Sequence, residues 1–183
     1  MSQIKVDSIV PLSGVASGQG GGIVQVVSAF KGDRFTTSST SFVDISGLNL
    51  TITPKSVNNK ILLMGCFGAA GVRQNNLDHG QAIRILRNGS ADNKLNGSVD
   101  GDRTRCCWKG NGNQFNDDHN PGGQAFSGVD DPSTVSAVTY KVQVSCQSSS
   151  KPFLLNGNYN NANGTQVYNA RFMSSLIAME ISG

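Results

Sequence analysis

Chemistry in this 183-residue chain would start from its two histidines, and each follows aspartate: Asp78-His79 and Asp117-Asp118-His119. A histidine beside carboxylates is the raw material of acid–base catalysis or of a metal site. Both pairs sit among asparagine and glycine, without the fixed strand or helix spacing a site requires, and read as solvated loop residues. Asp100-Gly101-Asp102 opens like a calcium loop but lacks the further oxygen ligands and the bidentate glutamate. Asp100, Asp102, Asp117, Asp118, Asp130 and Asp131 offer carboxylates for glycoside hydrolysis, which needs a pair about 5–9.5 Å apart. No strand-like segment carries such a pair. The four cysteines, Cys66, Cys106, Cys107 and Cys146, show no CxxC spacing, so a structural zinc site is not expected. Neither GxxxxGK nor GxSxG occurs, and no GxGxxG lies between a strand and a helix. The reading is a non-enzymatic protein with no catalytic set, no metal and no cofactor.

Binding chemistry is better represented. Trp108 and Phe115 lie in a polar stretch with Arg105, Lys109, Asn111, Asn113 and Asn116. An aromatic face covers the apolar side of a sugar ring, while amides and a cation satisfy its hydroxyls. Trp108, Lys109, Asn113 and Phe115 are therefore the candidate receptor contact. The alternative is that Trp108 plugs the edge of the domain. Asn49, Asn88, Asn96 and Asn163 match the glycosylation sequon, but in a chain so rich in Asn, Ser and Thr they read as turns.

The elements that must position these residues are strands. Charged residues make up only 15% of the chain and glycine occurs 22 times, which excludes a coiled coil or a charged disordered tail. Ile23–Phe30 is rich in β-branched residues; Leu48, Leu50 and Ile52 alternate toward Pro54; Gln81–Arg87 alternates into Asn88-Gly89, a hairpin signal. Further strands are expected at Phe42–Ile45, Ser136–Cys146, Pro152–Leu155 and Ala170–Ile181. The last also fits a helical stripe through Phe172, Leu176 and Met179, but a strand suits the composition better. Lys60–Gly68 is apolar throughout and is expected to be a central strand buried on both faces, with Cys66 in the core, as Cys146 is in its own strand. If Cys106-Cys107 is extended, the two point to opposite faces and only one is easily buried. About eight strands spaced by turns predict an all-β, two-sheet sandwich or jelly roll over residues 23–183. Residues 96–133 are expected to form a long polar loop region.

Residues 1–22 read as an arm. Ile4, Val6, Ile9 and Val10 are apolar, Pro11 ends the pattern, and a glycine-rich linker follows. Such a peptide builds no core alone and must dock on its own domain, a sister subunit or a larger assembly. No apolar run approaches the roughly 18–20 residues that span a membrane, so no membrane insertion is expected. The net charge of +3 is scattered, its densest spot being Arg103, Arg105 and Lys109 beside Asp100 and Asp102, so no nucleic-acid partner is expected. The N-terminus does not read as a signal peptide, which suits synthesis in a cytoplasm and release by lysis. The apolar strands at Ile61–Phe67 and Leu176–Ile181 are more than one small sandwich covers, which predicts self-association.

Several stretches together resemble a known group. Ser2-Gln3-Ile4-Lys5-Val6-Asp7-Ser8-Ile9-Val10 is similar to the openings of tail-fibre and other virion structural proteins of phages of cyanobacteria and marine bacteria. Thr40–Leu48, Leu50–Ser56, Lys60–Leu63, Ile85–Ser90 and Ser175–Ile181 resemble the body of the same proteins. The likeness spans most of the chain outside residues 96–133. Such proteins are similar to jelly-roll trimers of the TNF and C1q type. The resemblance implies a homotrimer on the particle surface, an arm docked through Ile4, Val6, Ile9 and Val10 on other virion proteins, and loops that meet a host-surface glycan. A capsid decoration protein would share these features, and a free carbohydrate-binding module is a further alternative.

Overall fold

A computed structural model describes residues 22–68, 70–72, 80–91, 93–111, 123–150, 152–158, 161 and 163–183. The arm residues Ile4, Val6, Ile9 and Val10, both Asp-His pairs, Asn113 and Phe115 lie outside them. Among the described residues there are eleven strands and no α-helix. They are β1 (Ile23–Lys31), β2 (Phe35–Thr37), β3 (Val43–Ile52), β4 (Lys60–Phe67), β5 (Gly71–Val72) and β6 (Gly80–Arg87). Then follow β7 (Trp108–Asn111), β8 (Gln124–Asp130), β9 (Val138–Cys146), β10 (Phe153–Leu155) and β11 (Ser174–Ile181). The closing segment is thus a strand, as its composition favoured over its helical stripe.

Two four-stranded antiparallel sheets, β1-β11-β4-β8 and β3-β9-β6-β7, form a sandwich; a small sheet, β2-β10-β5, accompanies them. The chain changes sheet repeatedly, so neighbours in space are mostly distant in sequence. Alternation sets the core. Ile61, Leu63, Phe67, Leu176 and Ala178 from the first sheet meet Leu50, Ile52, Ile83, Ile85, Tyr140, Val142 and Val144 from the second, all buried. Burying each such side chain contributes roughly 1.5–3 kcal/mol.

Buried polar groups join the layers. Asp130 on β8 is fully buried and accepts from Arg87 Nη1 at 3.0 Å and from the Tyr140 hydroxyl at 2.8 Å, both on the opposite sheet. Burial, together with this carboxylate, raises the Tyr140 pKa. Glu180 on β11, also fully buried, accepts from Asn59 Nδ2 and the Lys55 N–H, both at 2.6 Å, and from Gln25 Nε2 at 2.5 Å. Burial pushes its pKa up, but these donors, with the Lys55 charge, outweigh it and hold the carboxyl below its ordinary value. Asn96 finishes an edge. Its amide takes the Ile85 N–H at 2.9 Å and donates to the Ile85 carbonyl at 2.7 Å, replacing a neighbouring strand where β7 ends its pairing.

Four expectations need correction. Residues 96–133 are not one loop region, because β7 and β8 lie within them. β8 escaped notice because Ser127 and Gly128 dilute its β pattern, yet it pairs with β4 along its whole length. Trp108 belongs to a strand, opposite Ile83. β4 is not buried on both faces: Ile61, Leu63, Gly65 and Phe67 point in, while Met64 and Cys66 are exposed. Cys66 is therefore a surface residue, although Cys146 is in the core as expected. The Asn88-Gly89 turn does form, with positive φ at both residues and paired bonds between Arg87 and Ser90, but the return is a single bridge rather than a second long strand.

Candidate functional site

Among the described residues, the outward face of the first sheet departs most from ordinary surface chemistry. Register places its side chains in rows across β1, β11, β4 and β8: Phe30, Ser175, Cys66, Ala125; then Ser28, Ile177, Met64, Ser127; then Val26, Met179, Leu62, Val129. Phe30 is 61% exposed, Val26 54%, Val129 44% and Met64 40%; Leu62, Ile177 and Met179 are half-buried. None of these twelve residues is charged; Lys60, opposite Ile181, marks the end of the face. The strands carry apolar residues at both parities, so one set fills the core and the other is left outside. Contiguous apolar surface of this kind marks an interaction site.

The face is not flat. Cys66, Ala125, Ser127 and Ser175 are small, and between Met64 and Ile177 they leave a dent of about 350 Å³. Its floor is Gly65, beneath which Phe126 stacks on Phe67 with ring centroids 5.7 Å apart. A Cβ at Gly65 would collide with the Phe126 ring, so glycine is required for this close approach. On the same row as the dent, Phe30 protrudes from β1.

The outward face of the second sheet is polar. Asp44 accepts from Gln143 Nε2 at 2.6 Å and Lys141 Nζ at 3.0 Å, and both hold its carboxyl below the ordinary value. Arg84 donates to Gln143 at 2.9 Å and lies over the Phe42 ring at 3.9 Å from the centroid. The Thr51 and Thr139 hydroxyls are 2.8 Å apart.

The expected receptor contact is only partly assembled by the described residues. Trp108 is half-buried and packs against the hydrophobic core, while Lys109, next in β7, is exposed. The basic spot divides between two cavities. Arg105 lines one of about 460 Å³ with Arg87, Lys94 and Asp131, and donates to the Gly97 and Asn93 carbonyls at 2.6 and 3.2 Å. Arg103 and Lys109 line another of about 500 Å³ with Thr104, Ser145 and the buried Gln81, whose Oε1 has no hydrogen-bond partner among the described residues. Arg103 also pairs with Asp100 at 2.9 Å. The adjacent cysteines precede β7 and are both half-buried; Cys107 packs on the core, where burial pushes its thiol up to about 12, with its neighbour Cys106 adding to the shift. Cys106 lines the second cavity.

Among the described residues, no group of three or more His, Cys, Asp or Glu is placed to hold a metal, and no helix is long and apolar enough to cross a membrane. Asp100-Gly101-Asp102 is an exposed turn. Sequence reasoning missed the buried Asp130 and Glu180, since nothing in an isolated Asp or Glu reveals its partners. It registered the excess of apolar strand residues but not that one whole face would carry them.

Fold and surface together define an all-β sandwich with one apolar and one polar exterior. No protein-family model matches this chain, and the curated proteins contain no match to it.

Proposed function

We propose that this chain is a non-enzymatic structural protein of a bacteriophage particle, a homotrimeric tail-fibre or knob component that meets the host surface. The single observation that carries this reading is the apolar outer face of the β1-β11-β4-β8 sheet, which suits a protein that works inside an assembly. The strand orders of the two main sheets support a jelly-roll body. The arm, with Ile4, Val6, Ile9 and Val10, would dock on other virion proteins. The protein would be made in the host cytoplasm and sit on the particle surface. The cavity lined by Lys109, Arg103 and Thr104 offers cations and hydroxyls to a host glycan.

Capsid decoration is the second reading, and one observation favours it. Trp108 is half-buried against the core, which leaves less of its ring for sugar stacking than a place in an exposed loop would. Labelling the protein in purified particles and imaging them separates the readings. The fibre reading expects the label on the tail; label on the head establishes decoration, and particles without label overturn both.

A further inference from the structure

Phe30 protrudes and the dent recedes on one face of one chain. We propose that they join copies: Phe30 of one copy seats in the dent formed by Cys66, Ala125, Ser127 and Ser175 of the next. This rests on the homotrimer reading and specifies the contact that builds it.

Phe30 does not fill the dent of its own copy. Ser175 separates it from Cys66 in the register, so it stands two strands away, about 10 Å in the hydrogen-bonding direction. A second copy brings the knob to the dent without any change of fold. The dent is roomy enough for a phenyl ring at about 350 Å³, and Met64 and Ile177 line it with apolar surface. The three rows carry no charge, so they offer an oppositely charged partner nothing to recognise and suit another apolar surface. The three rows span five residues on each of four strands, an uncharged face of roughly 19 by 17 Å. That is about 300 Å² before side-chain relief, the centre of a contact whose rim must come from flanking residues to approach the ~800 Å² per partner of a stable interface. The sheet is twisted and the knob lies off to one side of the dent, so each copy offers a knob to one neighbour and a dent to another, the arrangement that closes into a ring.

The exposed Cys66 makes the contact testable by disulfide capture in the full chain. Phe30→Cys would place a thiol against Cys66 of the neighbouring copy. Within one copy the two Cα atoms lie beyond the roughly 7 Å limit for a disulfide. Mild oxidation with diamide should give a covalent trimer on a non-reducing gel, lost in Phe30→Cys/Cys66→Ser. Two further variants address the same contact without a disulfide: Ala125→Trp, which fills the dent, and Phe30→Asp should each weaken self-association at least tenfold with the fold retained. If the wild type sediments as a trimer that Ala125→Trp and Phe30→Asp both leave intact, the proposed contact is wrong and the trimer stands. A link that survives Cys66→Ser likewise overturns the contact. A covalent dimer with nothing larger supports the knob in the dent but contradicts closure in three. A monomeric wild type removes the homotrimer reading itself.

Discussion

The two outer faces of the sandwich are built by the same alternation of side chains and finished in opposite ways. On β3, β9 and β6 the outward positions carry Asp44, Thr51, Thr139, Lys141, Gln143 and Arg84, tied to one another by hydrogen bonds and an ion pair. On β1, β11, β4 and β8 they carry Val26, Phe30, Leu62, Met64, Ile177, Met179 and Val129. Water solvates the first face well and the second poorly. Antiparallel sheets tolerate a wet outer face when it is polar, so the apolar face is the one that calls for a partner. The proposed assembly would use this difference, covering one side of the molecule and leaving the other to solvent.

The largest effect is expected where the two sheets are tied together. Asp130→Ala removes the carboxylate that links β8 to Arg87 and Tyr140 across the interior. The expected cost is about 3–5 kcal/mol, because it leaves a partly buried guanidinium and a buried hydroxyl without their partner. Urea unfolding measures it; a loss under 1 kcal/mol would show that the apolar core alone holds the layers.

Met64→Lys tests the apolar face without touching the core, since Met64 points outward. Association should weaken by roughly 1.5–3 kcal/mol per copy, while far-ultraviolet circular dichroism stays unchanged. Unchanged association would mean that the face is not covered by another copy.

A smaller effect is expected at the Glu180 carboxylate, inside the first sheet. Its folded pKa lies below the ordinary 4.5. Its stabilisation is therefore fully present above about pH 5 and is lost as the pH falls through the depressed folded value. Glu180→Gln should cost about 1–2 kcal/mol at neutral pH and flatten this acid loss. Melting curves of both proteins across that range decide it: parallel curves would assign the acid loss to other groups.

The smallest effect belongs to the polar face. Asp44→Ala breaks an exposed pair with Lys141 and should cost under about 1 kcal/mol, with no change in sedimentation. A shift toward smaller species would mean that the polar face, too, takes part in assembly.

Much of this contrast was legible in the sequence where period-2 patterning was strong. Leu48, Leu50 and Ile52 alternate cleanly and are all buried, and Ala170–Ile181 contains the strand its composition favoured. Lys60–Gly68 shows where patterning fails. A run apolar at both parities reads the same whether its second side faces a layer of its own chain or the outside. β7 was hidden because only polar residues and a glycine follow Trp108, and β8 because the adjacent Ser127 and Gly128 interrupt its pattern, although Gly65 and Phe126 fit together across β4 and β8. The polar staples were illegible for a different reason: Asn96 reads as a sequon or a turn until Ile85 is seen beside it. Of the candidate site, Trp108 and Lys109 are neighbours on one strand but differ in environment. The ring packs on the core and the ammonium is exposed, a division that alternation along β7 produces.

On the reading proposed above, the face of β1, β11, β4 and β8 is covered by further copies of the chain. Sedimentation equilibrium of the full protein at micromolar concentration tests it most directly. The expected species has three times the 19.2 kDa chain mass. A stable species of 19.2 kDa under those conditions would contradict it.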